Sequence, residues 1–333
     1  MQSVLHPILG PKKEVHDLSD RVALVTGGAM GIGYEISRTF ALHGARVIMV
    51  NRKEDQGSSA IQKIKEESNN RAQIEWVPCD MGNLRQVQEV FNGLREKEER
   101  LDLLILSAGI NANSYGTAHD GTERIFAVNW LGNFYVVNLL YPLLRKTSKM
   151  SDTPAPRIVF ESSELHRAAL SATTKFAHVE EINDPSKDPT QLYARTKLAV
   201  ILGVKFGLLE RVIRPNGDAI YALSVHPGAV NTEMQHQWKD AYPGLLGKLL
   251  TTTMTAFGRS PEQGSFSALY AATSPEVEEK GWNGHYFTDP GQPGKEASLA
   301  NDVELGNALW NLTHQMIREK VGQDGMVDWN AKV

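Results

Sequence analysis

A tyrosine and a lysine stand four residues apart in Tyr193-Ala194-Arg195-Thr196-Lys197. On a helix that spacing is roughly 1.1 turns and a rise of about 6 Å, so both side chains share one face. The pairing has a chemical use. A free tyrosine has a pKa of about 10 and is a poor base near neutrality. A cation within a few ångströms favours the phenolate and lowers that value by about one to three units. Proton exchange then becomes effective near ambient pH. Alone, the spacing is a weak signal, because ordinary helix pairs produce it often. Companions strengthen it. Ser162 and Ser163 follow an apolar run, where a hydroxyl can donate to a developing alkoxide. Asn129 lies in a predominantly apolar stretch, where a buried amide needs partners.

These groups can cooperate only if the chain carries them to one edge. Strands are expected at Val22–Thr26, Arg46–Val50, Ile74–Cys79, Leu103–Ser107, Arg157–Phe160 and Ala219–Val225. Several are nearly continuous apolar runs, as in parallel strands covered on both faces. Helices are expected between them at Ile32–His43, Gln56–Glu67, Leu84–Arg95, Thr122–Leu144 and Gln191–Val212. In the last, Leu198, Ile201, Leu202, Lys205 and Leu209 recur at helical spacing. Glu262–Ala272, Gly284–Thr288 and Leu305–Glu319 read as helix, strand and helix closing the same sheet. The alternation predicts an α/β fold with an open, doubly wound sheet that binds ligands at its carboxyl edge. Thr147–Pro156 is polar with two prolines and reads as a surface loop. Thr232–Ser260 breaks the rhythm.

Directly after the first strand comes Thr26-Gly27-Gly28-Ala29-Met30-Gly31-Ile32-Gly33. Glycines permit a close backbone approach, and the following helix offers unpaired N–H groups to a pyrophosphate. In the first βα unit this pattern points to a dinucleotide. About 20 residues on, where an NAD site commonly has an acid, the chain reads Val50-Asn51-Arg52-Lys53. The Arg52 fork can pair with a 2′-phosphate, which favours NADP(H) over NAD(H). Asp80 could accept from the adenine amino group, or serve as a helix N-cap. His226-Pro227-Gly228-Ala229-Val230-Asn231-Thr232 leaves the sixth strand through a rigid turn that would bring Thr232 near the nicotinamide.

Composition agrees with a globular protein. The 333 residues carry a net charge of −4, with 41% apolar and 22% charged side chains. That balance offers no footprint for nucleic acid or an anionic membrane. No 18-residue apolar stretch suggests an integral membrane segment. The single cysteine, Cys79, allows no intrachain disulfide and fits a reducing, cytoplasmic setting.

In type and order these motifs resemble those of the short-chain dehydrogenase/reductase family. The resemblance runs from Thr26 to Thr232 and into the tail. It implies a single Rossmann-like domain at residues 20–325, with a seven-stranded, mostly parallel sheet and helices on both faces. Residues 1–19 form an N-terminal extension, and 232–260 a variable segment on the substrate side. It also implies a catalytic tetrad of Asn129, Ser163, Tyr193 and Lys197, the second serine of the pair matching the catalytic one. Lys197 would hold the nicotinamide ribose, and Asn129 would anchor a water that relays protons to it. Cofactor contacts are expected from Gly27, Gly31, Ile32, Gly33, Arg52 and Asp80. Further contacts are expected from Ala108, Gly109, Tyr193, Lys197, Pro227, Gly228, Val230 and Thr232. Members often pair through their long helices, here Thr122–Leu144 and Gln191–Val212, as homodimers or homotetramers.

The stretch Glu161-Ser162-Ser163-Glu164-Leu165-His166-Arg167 is similar to the S-S-x-x-H-R of the retinol-dehydrogenase and WW-domain-oxidoreductase branch. So are Leu192–Ala199 and Gly284-His285-Tyr286-Phe287. Two departures stand out. Neither a WW domain nor a membrane anchor is expected before the fold. Leu106-Ser107-Ala108-Gly109 replaces the family's N-N-A-G, which implies altered sheet support rather than lost catalysis.

Other conspicuous residues have plainer readings. His166 either lines the pocket or sits in a solvated loop. The pairs Glu66/Glu67, Glu98/Glu99 and Glu180/Glu181 read as solvated faces or loops. His236 and the other histidines lack metal-ligand spacing with Cys79. Trp238, Tyr242, Leu245, Leu246, Leu249 and Leu250 form a lid, a packing element or an oligomer contact. A membrane contact ranks last, with only Lys239 and Lys248 positive there. The expectation is an NADP(H)-dependent enzyme interconverting a hydrophobic small-molecule carbonyl and its alcohol. The alternatives are a biosynthetic ketoreductase and a non-catalytic cofactor-sensing or scaffold protein.

Overall fold

Val22–Thr26 is apolar until its last residue, and it forms β1, buried along its whole length. In the computed structural model, which describes residues 15–151, 153–230 and 258–331, this strand is central to one sheet. Its parallel neighbours are β2 (Arg46–Asn51) and β4 (Leu103–Leu106). β3 (Ile74–Pro78), β5 (Arg157–Glu161), β6 (Tyr221–Val225) and β7 (Tyr286–Asp289) extend it in parallel. The order is β3-β2-β1-β4-β5-β6-β7-β8. The expected seven strands become eight. The extra one, β8 (Gln292–Pro293), is two residues paired antiparallel to β7, too short to leave a periodic signal. The strand order reverses between β1 and β4, which opens a crevice at the carboxyl edge.

Two apolar layers cover the sheet. α1 (Gly31–Leu42) and α2 (Glu54–Glu67) pack Ile36, Phe40 and Ile64 on one face. The other face holds α3 (Leu84–Lys97), α4 (Asn133–Thr147) and α5 (Pro189–Leu202). α6 (Pro261–Thr273) packs beside α1, and α7 (Val303–Val321) against the far side of α5. Local chemistry sets their starts. Asp188 caps α5 by accepting from the Thr190 N–H, with Pro189 pre-set for the first turn. Ser260 and Gln263 form a reciprocal capping box on α6.

Both long helices depart from regularity. The expected Thr122–Leu144 helix is interrupted by a π-helical turn, Ala127–Gly132, ahead of α4. α5 continues as a π-helical stretch, Gly203–Ile213, with Trp130 seated against Gly203. Nearly every face of α4 is buried within the chain. The C-terminal tail covers it: Asn138 exchanges two 2.9 Å hydrogen bonds with Val327, and Arg145 donates to the Trp329 and Ala331 carbonyls. Among the described residues no helix is long and apolar enough to cross a membrane. The extension through residue 14, Thr232 and the apolar part of the variable segment, Trp238 to Leu250, lie outside the described residues.

Candidate active site

The glycine turn joins β1 to α1. Gly27 and Gly31 adopt φ of 68° and 54°, in the left-handed region that favours glycine. A Cβ at Gly33 would stand 2.3 Å from the Gly27 carbonyl oxygen, and one at Gly27 2.9 Å from the Ala108 backbone. Only glycine fits this close approach. Met30, ahead of α1, makes no side-chain cap, and the first turn holds no acid. The N–H groups there remain available to an anion, which fits the pyrophosphate of a dinucleotide. Ile32 and Val230 meet over Gly264, so the loop after β6 reaches the same cradle.

At the ends of β2 and β3, Arg52 is largely exposed, with its guanidinium 3.6 Å from Asp80 Oδ2. Asp80 also accepts from the Gly82 N–H at 2.9 Å. It is not the helix cap weighed from sequence; Asn83 caps α3.

Beside the cradle, Asn133 draws three segments together. It accepts from the Thr26 hydroxyl at 2.9 Å and donates to the Ala108 and Val128 carbonyls. Asn129 sits in the π-helical turn, a distortion frequent at functional sites. Its amide grips both main-chain groups of Ile110, at 2.7 and 2.9 Å, and donates to Thr196 Oγ1 at 3.3 Å. The loop after β4 is thereby fixed against α5. A Cβ on Gly109 would lie 3.5 Å from Asn129 Oδ1 and 4.0 Å from Lys197 Nζ.

Lys197 Nζ lies 5.4 Å from the centre of the Tyr193 ring and donates to the Glu161 carbonyl at 2.7 Å. Helical spacing thus brings the pair together. The two serines diverge. Ser162 Oγ is buried and committed to the Lys197 carbonyl at 2.8 Å, while Ser163 Oγ accepts from the Leu165 N–H at 3.2 Å and keeps its proton to offer. One expectation fails: Tyr193 is not acidified. Burial, and then the Glu161 charge, hold its proton more tightly than in free tyrosine. Burial likewise depresses Lys197 to about 8, opposed by the Glu161 charge, which leaves the lysine side chain mostly an ammonium near neutrality.

His166 is neither a pocket wall nor a solvated loop residue. It is fully buried, with Nδ1 2.6 Å from the Ser163 carbonyl and Nε2 accepting from the Ala297 N–H at 3.0 Å. The acceptor role of Nε2 puts the ring proton on Nδ1, and burial keeps the imidazole neutral. It staples the serine loop to the chain beyond β8. Glu164 accepts from the Tyr286 hydroxyl at 2.9 Å, so the serine segment and the Gly284–Phe287 segment form one unit. The acidic pairs are also more than solvated faces. Glu98 is buried beside Arg46, and Glu181 accepts from the Lys175, Phe176 and Ala177 N–H groups.

Beyond β6, Gly228 has φ of 87°, and Arg259 closes the turn by donating to the Pro227 carbonyl while pairing with Asp289. Cys79 is buried, and that burial pushes its thiol up to about 12, which suits packing rather than nucleophilic chemistry.

Sequence reasoning did not single out Asn133, Thr196, His166 as a staple, or Glu161. Asn133 carried a signal: a second amide one helical turn beyond Asn129 in an apolar stretch. Glu161 carried one too, as an acid directly after the apolar run of Ile158, Val159 and Phe160 in a buried strand.

Residues 21–176 match the family described as short chain dehydrogenase. The chain is 35% identical over 311 residues to the WW domain-containing oxidoreductase of Gallus gallus, covering 92% of this chain and 70% of that protein. It is 30% identical over 316 residues to the polyprenol dehydrogenase of Homo sapiens, covering 94% and 88%. A crystal structure of a putative uncharacterized protein from Mycobacterium paratuberculosis superposes with a TM-score of 0.67 at 25% identity, covering 92% and 96%.

Proposed function

The chain belongs to the short-chain dehydrogenase/reductase family of oxidoreductases, and within it we propose an NADP(H)-dependent enzyme that interconverts a hydrophobic carbonyl compound and its alcohol. The observation that carries this reading is the Tyr193–Lys197 pair, with Lys197 Nζ 5.4 Å from the tyrosine ring, at the same sheet edge as the glycine cradle. Gly27, Gly31, Gly33 and the start of α1 would hold the pyrophosphate. Arg52 would take the 2′-phosphate and Asp80 the adenine amino group, and Ala108, Gly109, Pro227, Gly228 and Val230 would line the rest. The bound nicotinamide supplies or receives the hydride.

The remaining work belongs to the side chains. Ser163 donates to the substrate oxygen, and Tyr193 gives that oxygen its proton in reduction and removes it in oxidation. The raised proton affinity of Tyr193 suits a donor. Lys197 restores the phenol, while Asn129 fixes the Ile110 loop and, through Thr196, the helix that carries both groups. A relative named for dehydrogenating a polyprenol supports a hydrophobic alcohol as the substrate class.

We also read the chain as not pairing through its long helices. The faces that would meet a second copy are covered by α7 and by the tail that binds Asn138 and Arg145. An assay of NADPH and NADH oxidation across aliphatic, aromatic and prenyl aldehydes and ketones tests the function. Turnover with NADPH is expected; cofactor binding without turnover on any carbonyl or alcohol would favour a sensor or scaffold instead.

A further inference from the structure

At the carboxyl end of β5 stands a charged group that the proton-transfer scheme does not use. Phe160 is the register partner of Leu106, so Glu161 and Ser107 follow side by side at the same sheet edge. The Glu161 carbonyl accepts from Lys197 Nζ at 2.7 Å. Its side-chain Oε1 is buried and has no hydrogen-bond partner among the described residues. An orphaned carboxyl oxygen in such a place calls for an explanation.

We propose that Glu161 is a positioning residue for the proton-transfer centre, its carboxyl and the Lys197 ammonium forming one charge-coupled unit that sets the pH range over which Tyr193 is kept protonated. This rests on the reading of Tyr193 as the proton donor. The groups facing the unit are few. α5 contributes Lys197 and Tyr193, and the end of β4 contributes the Ser107 hydroxyl, which favours the carboxylate. The π-helical turn contributes only the neutral amide of Asn129. After β6, His226 answers to Glu164, Arg259 and Asp289. Among the described residues, Lys197 is the one charge that acts on Glu161, and Glu161 the one that acts on Lys197.

The physical logic follows from sign. Burial drives both members toward their neutral forms, and each resists by stabilising the charge of the other. A negative charge near a phenol also keeps that phenol protonated. Without it, burial acts unopposed on Lys197, and Tyr193 loses part of its hold on its proton.

Infrared pH-difference spectra of the cofactor-free protein read the unit directly. A protonated carboxylic-acid band should persist above the ordinary carboxylate range. The Glu161 component of that band should vanish in Glu161→Gln and move to still higher pH in Lys197→Met, while any component from Glu123, which burial also raises, stays unchanged. In turnover, Glu161→Gln should shift the basic limb of the reductive kcat/KM profile down by about one pH unit, and Glu161→Asp should restore most of it. A band unchanged in Glu161→Gln or insensitive to Lys197→Met would overturn the proposal. So would a Glu161→Gln profile superimposable on that of the parent. Failure of the Tyr193 reading looks different: Tyr193→Phe would keep its turnover while the infrared behaviour stayed as described.

Discussion

Arg195 lies between Tyr193 and Lys197 in the chain, and its fully buried guanidinium meets the fully buried Glu123 carboxylate at 3.1 Å. Glu123 also caps the turn leading to Asn129, accepting from the Ile125 and Phe126 N–H groups at 2.8 and 2.9 Å. Burial is the larger influence on both partners, raising the Glu123 pKa and lowering that of Arg195 against their mutual attraction. The pair therefore locks geometry more than it adds stability. Glu123→Leu leaves a buried guanidinium without a counter-charge, though the Glu181 and Ile182 carbonyls still accept from it. Breaking such a pair from one side costs about 3–5 kcal/mol. At roughly 2 °C for each kcal/mol in a chain of this size, the melting temperature should fall by roughly 6–10 °C. Arg195→Met should cost a similar amount. The double variant, Glu123→Leu with Arg195→Met, removes both charges and loses chiefly the cap, worth about 1 kcal/mol. It should return to within about 2 kcal/mol of the parent. Calorimetry and urea unfolding of all four proteins measure the cycle. Losses that simply add in the double variant would refute the reasoning.

Other consequences concern the cofactor, the assembly and pH. Gly33→Ala drives a methyl into the Gly27 carbonyl and should weaken NADPH binding more than tenfold by fluorescence titration, with far-ultraviolet dichroism unchanged. Arg52→Asp should erode the preference for NADPH over NADH by tenfold or more; an unchanged ratio would remove Arg52 from that role. Cross-linking between cysteines introduced on α4 should fail to join two copies of the chain, and an efficient cross-link there would contradict the covered long-helix face. Burial pushes His226 and His314 down to about 4 from 6.5. Their stabilisation is present above about pH 6.5 and lost as pH falls toward 4, so the melting temperature should decline across that window. Replacing His314 with Phe should flatten part of the decline.

Much of this molecule could be read from its residues in order. β1 falls at Val22–Thr26 as expected, because a strand covered on both faces leaves an unbroken apolar run. The glycine cradle was legible because Gly27, Gly31 and Gly33 answer local backbone demands. The π-helical turn at Ala127–Gly132 was not, since it arises where Asn129 must reach Ile110 and Gly132 must pass the Met81 carbonyl. The tertiary partners of buried polar groups were equally hidden. Nothing near Glu98 in the chain announces Arg46, and nothing near His166 announces Ala297. The expected acidification of Tyr193 treated Lys197 as an isolated cation, whereas the fold places that lysine in a buried site shared with Glu161.

The central claim is that Tyr193 delivers the proton that accompanies hydride transfer. The most direct measurement is single-turnover oxidation of bound NADPH by an accepted carbonyl, comparing the parent with Tyr193→Phe. The account predicts a rate lower by about 10²–10⁴-fold with NADPH affinity retained. A Tyr193→Phe rate equal to that of the parent would contradict it.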